Sequence, residues 1–248
     1  MSRLVVIGNF DGVHRGHQAV LADASEVALR DGLEARLLTF HPHPATVLGR
    51  TPPPTLTGQR RKKELVQRDA PRFEVVEQRF DLAFAAQSPR TFAETLATEH
   101  RARRVVVGRN FRFGKDRAGD FATLAALGAE LGFVPSSLDL VGDELGPYSS
   151  TRVRNAIASG DMAGAERVLG RPHMVSGRVA RGKELGRTLG FPTANLEGIE
   201  EMLPPPGVYA TLVDRVDASG ARALGLGATS IGLNPTTDRD ERVKVETF

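Results

Sequence analysis

The sequence predicts an α/β protein with an open, doubly wound parallel sheet, followed by a smaller antiparallel β unit. Up to about residue 170, short apolar segments alternate with segments of helical periodicity, which is the pattern of repeated β-α-β units. Beyond residue 173 the helical period disappears, and strand-like segments are separated by Gly, Pro and Asp turns. We interpret this second part as a small antiparallel barrel.

The predicted elements of the first part alternate along the chain. Strands are predicted at residues 3–8, 35–40, 72–77, 103–108 and 133–138, and helices at residues 16–30, 57–70, 88–100 and 120–132. Thr57 is a candidate N-cap of the second helix, and Ser88 followed by Pro89 is a usual helix start. Residues 151–169 have the pattern of two short helices joined at Gly160. Open sheets of this kind bind ligands at the carboxyl ends of their strands, near the point where the strand order reverses.

The second part consists of short strands and turns. Strand-like segments are predicted at residues 173–182, 207–216, 221–232 and 241–248. The segment GKELGRTLGFPTANL, residues 182–196, is rich in glycine and contains a proline. Such a segment is typical of a loop that another group approaches closely.

The composition of the chain restricts its possible partners. Of its 248 residues, 40% are hydrophobic and 25% are charged, and the formal net charge is +3. This small excess fits a pocket for phosphates better than a nucleic-acid groove, and we interpret QRRKKE, residues 59–64, as a solvated helix face. No apolar stretch approaches the roughly 18 residues of a membrane span. The absence of cysteine and of a visible signal peptide predicts a cytoplasmic protein. From the charge and the lack of a long apolar stretch we expect small-molecule partners, with no nucleic acid and no membrane.

The stretch GNFDGVHRGH, residues 8–17, follows the first predicted strand and leads into a helix. A helix N-terminus offers free N–H groups to a phosphate, and the glycines let the backbone approach it. The spacing is neither that of a dinucleotide fingerprint nor that of a Walker A loop. His14 and His17 are three residues apart and fall on one face of a helical turn, where two donors suit charge on a phosphate. The residues alone also allow a pair of surface or capping histidines, or a zinc site that lacks an obvious third ligand.

GNFDGVHRGH resembles the HxGH signature of the nucleotidylyltransferase superfamily, in the form carried by bacterial FAD synthetases. Three further segments agree in order and place: TFHPHP at 39–44, VVGRNFRFG at 106–114 and YSSTRVR at 148–154. The resemblance implies a Rossmann-like fold and adenylyl transfer. In that reaction the phosphate of FMN attacks the α-phosphate of the co-substrate ATP, FAD forms, and pyrophosphate leaves.

The resemblance also implies roles for individual residues. His14 and His17 would stabilise charge around the α-phosphate, and Arg154 would hold the outgoing phosphates. The implied ATP-binding residues are Gly8, Phe10, Asp11, Gly16, Ser150 and Thr151, and the implied flavin-binding residues are Asn110, Phe111 and Phe113. Asn110 stands where many relatives have Asp. The residues alone also allow structural roles. Ser150 and Thr151 would suit a helix N-cap, and Arg154 would suit a surface position. Asn110 would suit a turn, and the side chains of Phe111 and Phe113 would suit the hydrophobic core.

The segment at 182–196 resembles the GFPTANL signature of riboflavin kinases, which are fused behind FAD synthetase in many bacteria. PPPGVYA at 204–210 and SIGLNPT at 230–236 follow it as they do in that family. The resemblance implies ATP binding by Gly182, Lys183, Gly186 and Thr193, and a Mg²⁺ ion near Thr193 and Asn195. It further implies that Glu246, in KVETF, is the base that takes the proton from the 5′-hydroxyl of riboflavin.

These observations predict an FAD synthetase domain at 1–158, a helical linker at 159–172 and a riboflavin kinase domain at 173–248. Relatives continue beyond the position of Phe248, so we expect a kinase domain truncated at its C-terminus that phosphorylates riboflavin poorly. The alternatives are a monofunctional FMN adenylyltransferase with a vestigial β domain, another HxGH enzyme acting on nicotinamide or pantetheine phosphates, and a non-catalytic flavin-binding module. The sequence does not indicate an oligomeric state.

Overall fold

The computed structural model describes residues 1–137, 141–180, 193–217, 220–232 and 243–248. The chain divides into two compact units. The first comprises Met1–Pro54, Gly58–Ser150 and Val168–Gly170, and the second comprises Thr55–Thr57, Thr151–Arg167 and Arg171–Phe248. None of the helices within the described ranges combines the length and the apolar character needed to cross a bilayer.

The first unit is built on a parallel sheet of five strands in the order β3-β2-β1-β4-β5. The strands are β1 (Arg3–Ile7), β2 (Glu34–His41), β3 (Phe73–Arg79), β4 (Ala102–Val107) and β5 (Val134–Ser137). The chain runs outward from β1 through β2 and β3 and then returns to the other side of β1, so the strand order reverses between β1 and β4. The predicted parallel sheet is confirmed.

Helices cover both faces of this sheet. They are α1 (Arg15–Arg30), α2 (Pro44–Val47), α3 (Gln59–Asp69), α4 (Leu82–Ala85), α5 (Pro89–Thr98) and α6 (Phe121–Leu131), with a short 3-10 helix at Lys115–Arg117. Alternate residues of β1 enter two separate cores, because successive side chains of a strand point to opposite faces. Leu4 and Val6 pack in the core that includes α1 and α3, whereas Val5 and Ile7 pack in the core that includes α5 and α6.

The helix starts agree only in part with the predicted caps. Ser88 caps α5, since its side-chain oxygen accepts a hydrogen bond from the backbone N–H of Thr91 at 3.1 Å. Thr57, in contrast, is not the cap of α3. That helix begins at Gln59, after Gly58 in an extended conformation, and no side chain caps it.

Two helices and a second sheet follow in the chain. A ribbon of β6 (Gly142–Asp143) and β7 (Gly146–Pro147) precedes α7 (Ser150–Ala158) and α8 (Met162–Leu169). The two helices are separated at Gly160, as predicted, and its φ of +76° explains the choice of glycine there. The second sheet consists of β8 (Arg178–Ala180), β9 (Ala194–Glu197), β10 (Gly207–Asp217), β11 (Gly220–Gly232) and β12 (Lys244–Thr247).

Neighbouring strands of the second sheet are antiparallel, in the order β10-β11-β12-β9-β8. Among the described residues it is an open sheet, with β10 and β8 at its edges, so a closed barrel stays a prediction. The prediction of about four strands was wrong, because β9 lies in the segment predicted as a loop. Leu196 of β9 pairs with Val179 on one side and with the buried Val245 on the other. Pairing on both sides makes this short segment a strand despite the glycines before it.

Candidate functional site

The turn between β1 and α1 lies where the order of the parallel strands reverses, and its backbone is strained. Phe10, Gly12 and Val13 have φ values of 49°, 87° and 40°. A β-branched residue such as Val13 rarely adopts a positive φ, so the surrounding structure must hold it there. The Val13 side chain is fully buried, and Nε2 of Gln18 donates hydrogen bonds to the carbonyl oxygens of Val13 and Leu169, both at 2.9 Å.

His14 is the N-cap of α1 and is buried. Its Nδ1 accepts a hydrogen bond from the backbone N–H of His17 at 3.4 Å. A neutral imidazole with an accepting Nδ1 carries its proton on Nε2, so His14 presents Nε2–H as a donor. The capping role that the residues alone allowed for this pair of histidines is therefore confirmed for His14.

His17 stacks between two rings. Its ring centroid lies 3.7 Å from that of His14 and 4.4 Å from that of Phe10. The residue keeps some exposed surface, but its Nδ1 is buried and has no hydrogen-bond partner in the described part of the chain. Burial lowers the pKa of His17 well below its ordinary value, and the neighbouring His14 and Lys62 lower it further. His17 is therefore neutral at pH 7, with an unsatisfied polar atom of the kind that a bound ligand satisfies.

Close packing explains two of the glycines in this turn. A Cβ on Gly16 would lie 3.0 Å from the carbonyl oxygen of Tyr148 and 3.1 Å from the His14 ring. A Cβ on Gly8 would lie 3.0 Å from the Phe10 ring, which is itself buried in the core. Any side chain at Gly16 would therefore displace the His14 imidazole or the backbone that faces it.

The segment YSSTRVR meets the turn through Ser150, the first residue of α7. The Ser150 hydroxyl donates a hydrogen bond to the carbonyl oxygen of Asp11 at 2.8 Å. Thr151, which is exposed, and Arg154, which is half-buried one turn further along α7, belong to the second unit. Of the three residues, Ser150 is thus the one that the first unit holds directly against the GNFDGVHRGH turn.

The predicted flavin-binding residues follow β4. Asn110 is exposed, and together with Phe111 it lines an open cavity of about 370 Å³. Phe113 is only 6% exposed and packs against Phe92 and Phe111, with ring centroids 5.4 Å apart in both pairs. Phe113 is therefore a core residue, whereas Phe111 and Asn110 are accessible to a ligand.

The predicted kinase residues lie on adjacent strands of the second sheet. Glu246 of β12 is directly opposite Asn195 of β9 and Ser230 of β11, so these three residues occupy one face of the sheet. Val245 and Ile231 form the buried opposite face. Thr193 is exposed just before β9. Gly182, Lys183 and Gly186 lie outside the described residues.

Comparison with known proteins agrees with this two-part arrangement. Residues 1–152 match the family model for FAD synthetase, and residues 169–248 match that for riboflavin kinase. A bifunctional riboflavin kinase/FMN adenylyltransferase of Escherichia coli (strain K12) is 38% identical over 234 residues, which cover 94% of this chain and 74% of the relative.

The chain belongs to the bifunctional riboflavin kinase/FMN adenylyltransferase family.

Other similar proteins span both units. A family member from Listeria monocytogenes is 34% identical over 251 residues, covering 100% of this chain and 78% of its own length. A crystal structure described as a macrolide-efflux protein from Streptococcus pneumoniae superposes with a TM-score of 0.82 at 29% identity, covering 99% of this chain and 79% of that chain. Matches to both family models favour the bifunctional interpretation over an HxGH enzyme for nicotinamide or pantetheine phosphates.

One residue of the first unit that sequence reasoning missed is Lys62. We predicted a solvated helix face for residues 59–64, and for Lys62 this is wrong, because it is only 4% exposed. Lys62 shares the buried stripe of α3 with Leu65 and Val66, at the spacing i, i+3 and i+4. That spacing is visible in the sequence and could have identified Lys62 as the inward-facing member of its charge run.

Proposed function

We propose that this chain makes FAD from FMN and ATP at the turn that follows β1, and FMN from riboflavin and ATP at the second sheet. The observation that carries the first activity is the buried, unpartnered Nδ1 of His17 beside the Nε2–H of His14, at the N-terminus of α1. Both nitrogens lie where an open parallel sheet reverses its strand order, which is where such sheets bind their ligands.

In adenylyl transfer an oxygen of the FMN phosphate attacks the α-phosphorus of ATP, and the bond from this phosphorus to the bridging oxygen of the β-phosphate breaks. Negative charge then moves to the leaving pyrophosphate. Hydrogen bonds from His14 and His17 and the free N–H groups at the start of α1 would stabilise this charge. Because His17 is neutral in the free protein, it supports the reaction as a hydrogen-bond donor rather than as a fixed cation.

The remaining predicted residues take supporting roles in this proposal. Gly8 and Gly16 remain the proposed positions at which the phosphates approach the backbone, as the resemblance implies, and Ser150 holds the turn in place through Asp11. Thr151 and Arg154 bind the outgoing phosphates, for which a planar guanidinium is well suited. Asn110 and Phe111 bind the flavin at the cavity that they line.

In the second unit, Glu246 would accept the proton of the riboflavin 5′-hydroxyl as that oxygen attacks the γ-phosphorus of ATP, the bond from this phosphorus to the oxygen bridging to the β-phosphate breaks, and ADP leaves. The hydroxyl of Thr193 and the amide oxygen of Asn195 are hard donors that fit Mg²⁺, which prefers a few protein ligands together with phosphate oxygens. Such an ion would neutralise charge on the phosphates of ATP. The pairing of Asn195 opposite Glu246 supports this assignment, because it brings the ligand and the base to one face of the sheet.

Two assays of the purified chain test the proposal. We expect FAD and pyrophosphate from FMN with Mg·ATP, and a slower formation of FMN and ADP from riboflavin with Mg·ATP, in line with the prediction from the sequence. Glu246→Gln, which keeps the shape of the side chain and removes the base, should abolish the second reaction and leave the first unchanged. Loss of both reactions in this variant, or of neither, would contradict the assignment of one reaction to each unit.

A further inference from the structure

Asn9 is a polar side chain of the GNFDGVHRGH turn to which the proposed function gives no role. It is half-buried and directly precedes Phe10, whose ring stacks on the His17 imidazole. The backbone carbonyl oxygen of Asn9 accepts a hydrogen bond from the Thr39 hydroxyl at 3.3 Å. Asn9 is thus held next to the proposed adenylyl-transfer site by the end of β2.

His43, in the segment TFHPHP, contacts the Asn9 side chain and has a tautomer that the backbone fixes. The backbone N–H of Ala45, at the start of α2, donates to Nδ1 of His43 at 3.1 Å. A backbone N–H can only donate, so Nδ1 must be an acceptor, and the neutral ring carries its proton on Nε2. The Nε2 atom, which lies 3.2 Å from the Asn9 amide, therefore acts as a donor.

This donor determines the orientation of the Asn9 amide. Only the oxygen of a carboxamide accepts hydrogen bonds, and its two ends have nearly the same shape, so the hydrogen-bond network decides which end faces His43. Oδ1 of Asn9 hence lies against Nε2–H of His43, and the NH₂ group points away from it. In the described residues the Asn9 side chain makes no further hydrogen bond, and its outward end is accessible.

We propose that Asn9 is a binding residue of the adenylyl-transfer site, that its NH₂ group donates to a phosphate oxygen of ATP, and that His43 is the residue that positions it. This inference rests on the proposed function of the first unit. A phosphate oxygen only accepts hydrogen bonds, and the same turn presents the donors of His14 and of the α1 N-terminus. Because His43 holds the amide oxygen, Asn9 does not turn a second acceptor toward the phosphate.

The proposal predicts graded losses that are specific for ATP. Asn9→Ala removes the donor and should lower kcat/KM for ATP by about 10- to 100-fold, as for the loss of a hydrogen bond to a charged group. Asn9→Asp keeps an oxygen toward His43 but replaces the NH₂ group with a charged carboxylate oxygen, which repels the phosphate. This variant should therefore lose more than Asn9→Ala, and the KM for FMN should change little in either.

The positioning role is tested by His43→Asn in the full chain, with His41→Asn as the matched control. Asparagine is a good N-cap, so it keeps an acceptor for the Ala45 N–H, but it is too short to reach Asn9. His41 lies in the same segment and contacts the Gln59 amide at 3.0 Å instead. We expect His43→Asn to lower kcat/KM for ATP and His41→Asn to leave it unchanged. Added to Asn9→Ala, His43→Asn should cost little more, because the group that it positions is gone.

The tautomer of His43 is read by ¹⁵N NMR, which needs no activity. The ring signals that vanish in His43→Asn identify this residue among the six histidines of the chain, and they should show a proton on Nε2 and none on Nδ1.

Four outcomes would overturn the proposal: a proton on Nδ1 of His43, unchanged ATP kinetics in Asn9→Ala, a loss confined to FMN, or additive losses in the double variant. A chain that makes no FAD would refute the proposed function. Calorimetry with Mg²⁺ and a non-reactive ATP analogue would then still test the contact, because Asn9→Asp should weaken this binding and His41→Asn should not.

Discussion

His17 and His100 lie at opposite ends of the strands of the same parallel sheet, and His100 is buried whereas His17 is half-buried. His100 lies between α5 and β4, at the amino ends of the strands, where its Nδ1 accepts a hydrogen bond from Nη1 of Arg36 at 3.0 Å. Arg36 is in turn ion-paired with Glu74 at 2.6 Å. His17 lies at the carboxyl ends of the strands, and its buried Nδ1 has no partner among the described residues.

The two histidines share the properties that are often used to locate active sites. The pKa of each is lowered, first by burial and then by a neighbouring positive or titratable group, which is His14 for His17 and Arg36 for His100. The two histidines differ in whether the Nδ1 atom of the ring has a hydrogen-bond partner. At His100 the Nδ1 is paired with Arg36, whereas the Nδ1 of His17 has no partner in the part of the chain that the structure describes. A lowered pKa therefore identifies a functional histidine only in combination with an unsatisfied atom at the ligand-binding edge of the sheet.

The largest expected effect in this comparison is on catalysis. His17→Ala should lower kcat for FAD formation by about 10²–10³, as is usual for the loss of one donor to a charged transition state. The affinity for FMN, measured by fluorescence quenching, should change little, because in the proposed function His17 contacts the transferring phosphate and not the flavin ring. His100→Ala is the matched control and should keep a normal kcat. A near-normal kcat in His17→Ala would show that His17 has only a structural role.

The next effect is on stability, and here His100→Ala is expected to have a larger effect than His17→Ala. His100→Ala leaves Nη1 of the buried Arg36 without its acceptor and should destabilise the first unit by about 1–3 kcal/mol. Hydrogen exchange at the amides of β2 and β4 in each variant measures this. His17→Ala should cost less, because it removes an atom that is already unsatisfied. Equal protection of β2 in His100→Ala and the unaltered protein would show that the Arg36 network does not stabilise the sheet.

The stability of the first unit should also depend on pH. Both histidines have a lower pKa in the folded than in the unfolded chain, so the unfolded chain binds protons first as the pH falls. Their contribution to stability is therefore complete above the ordinary histidine pKa and is lost as the pH falls below it toward the lowered values. Between pH 7 and pH 5, the loss of amide protection should be smaller in His100→Ala than in the unaltered protein, because the variant lacks one of the two histidines.

Much of the architecture could be predicted from the sequence, since β1, β2 and β4 of the first unit each contain a short apolar run between turn residues or helical repeats. The residues of β9 could not, because Ala194–Glu197 has too little pattern of its own and becomes a strand only through pairing on both sides. In the candidate site, the GNFDGVHRGH turn is evident from its glycines and histidines. The unpartnered Nδ1 of His17 is not, because hydrogen-bond satisfaction depends on the packing of Phe10 and His14 around it.

The central claim is that a nucleotide phosphate occupies the unsatisfied side of His17. The most direct measurement is ¹⁵N NMR of the histidine rings of the intact chain, free and saturated with Mg²⁺ and an ATP analogue that has a methylene bridge between its α- and β-phosphates. A phosphate beside His17 favours the charged ring, so we expect its ring signals to shift and its pKa to rise, while His100 stays unchanged. Identical His17 signals and an identical pKa in the free and the saturated protein, with saturation verified by calorimetry, would contradict the claim.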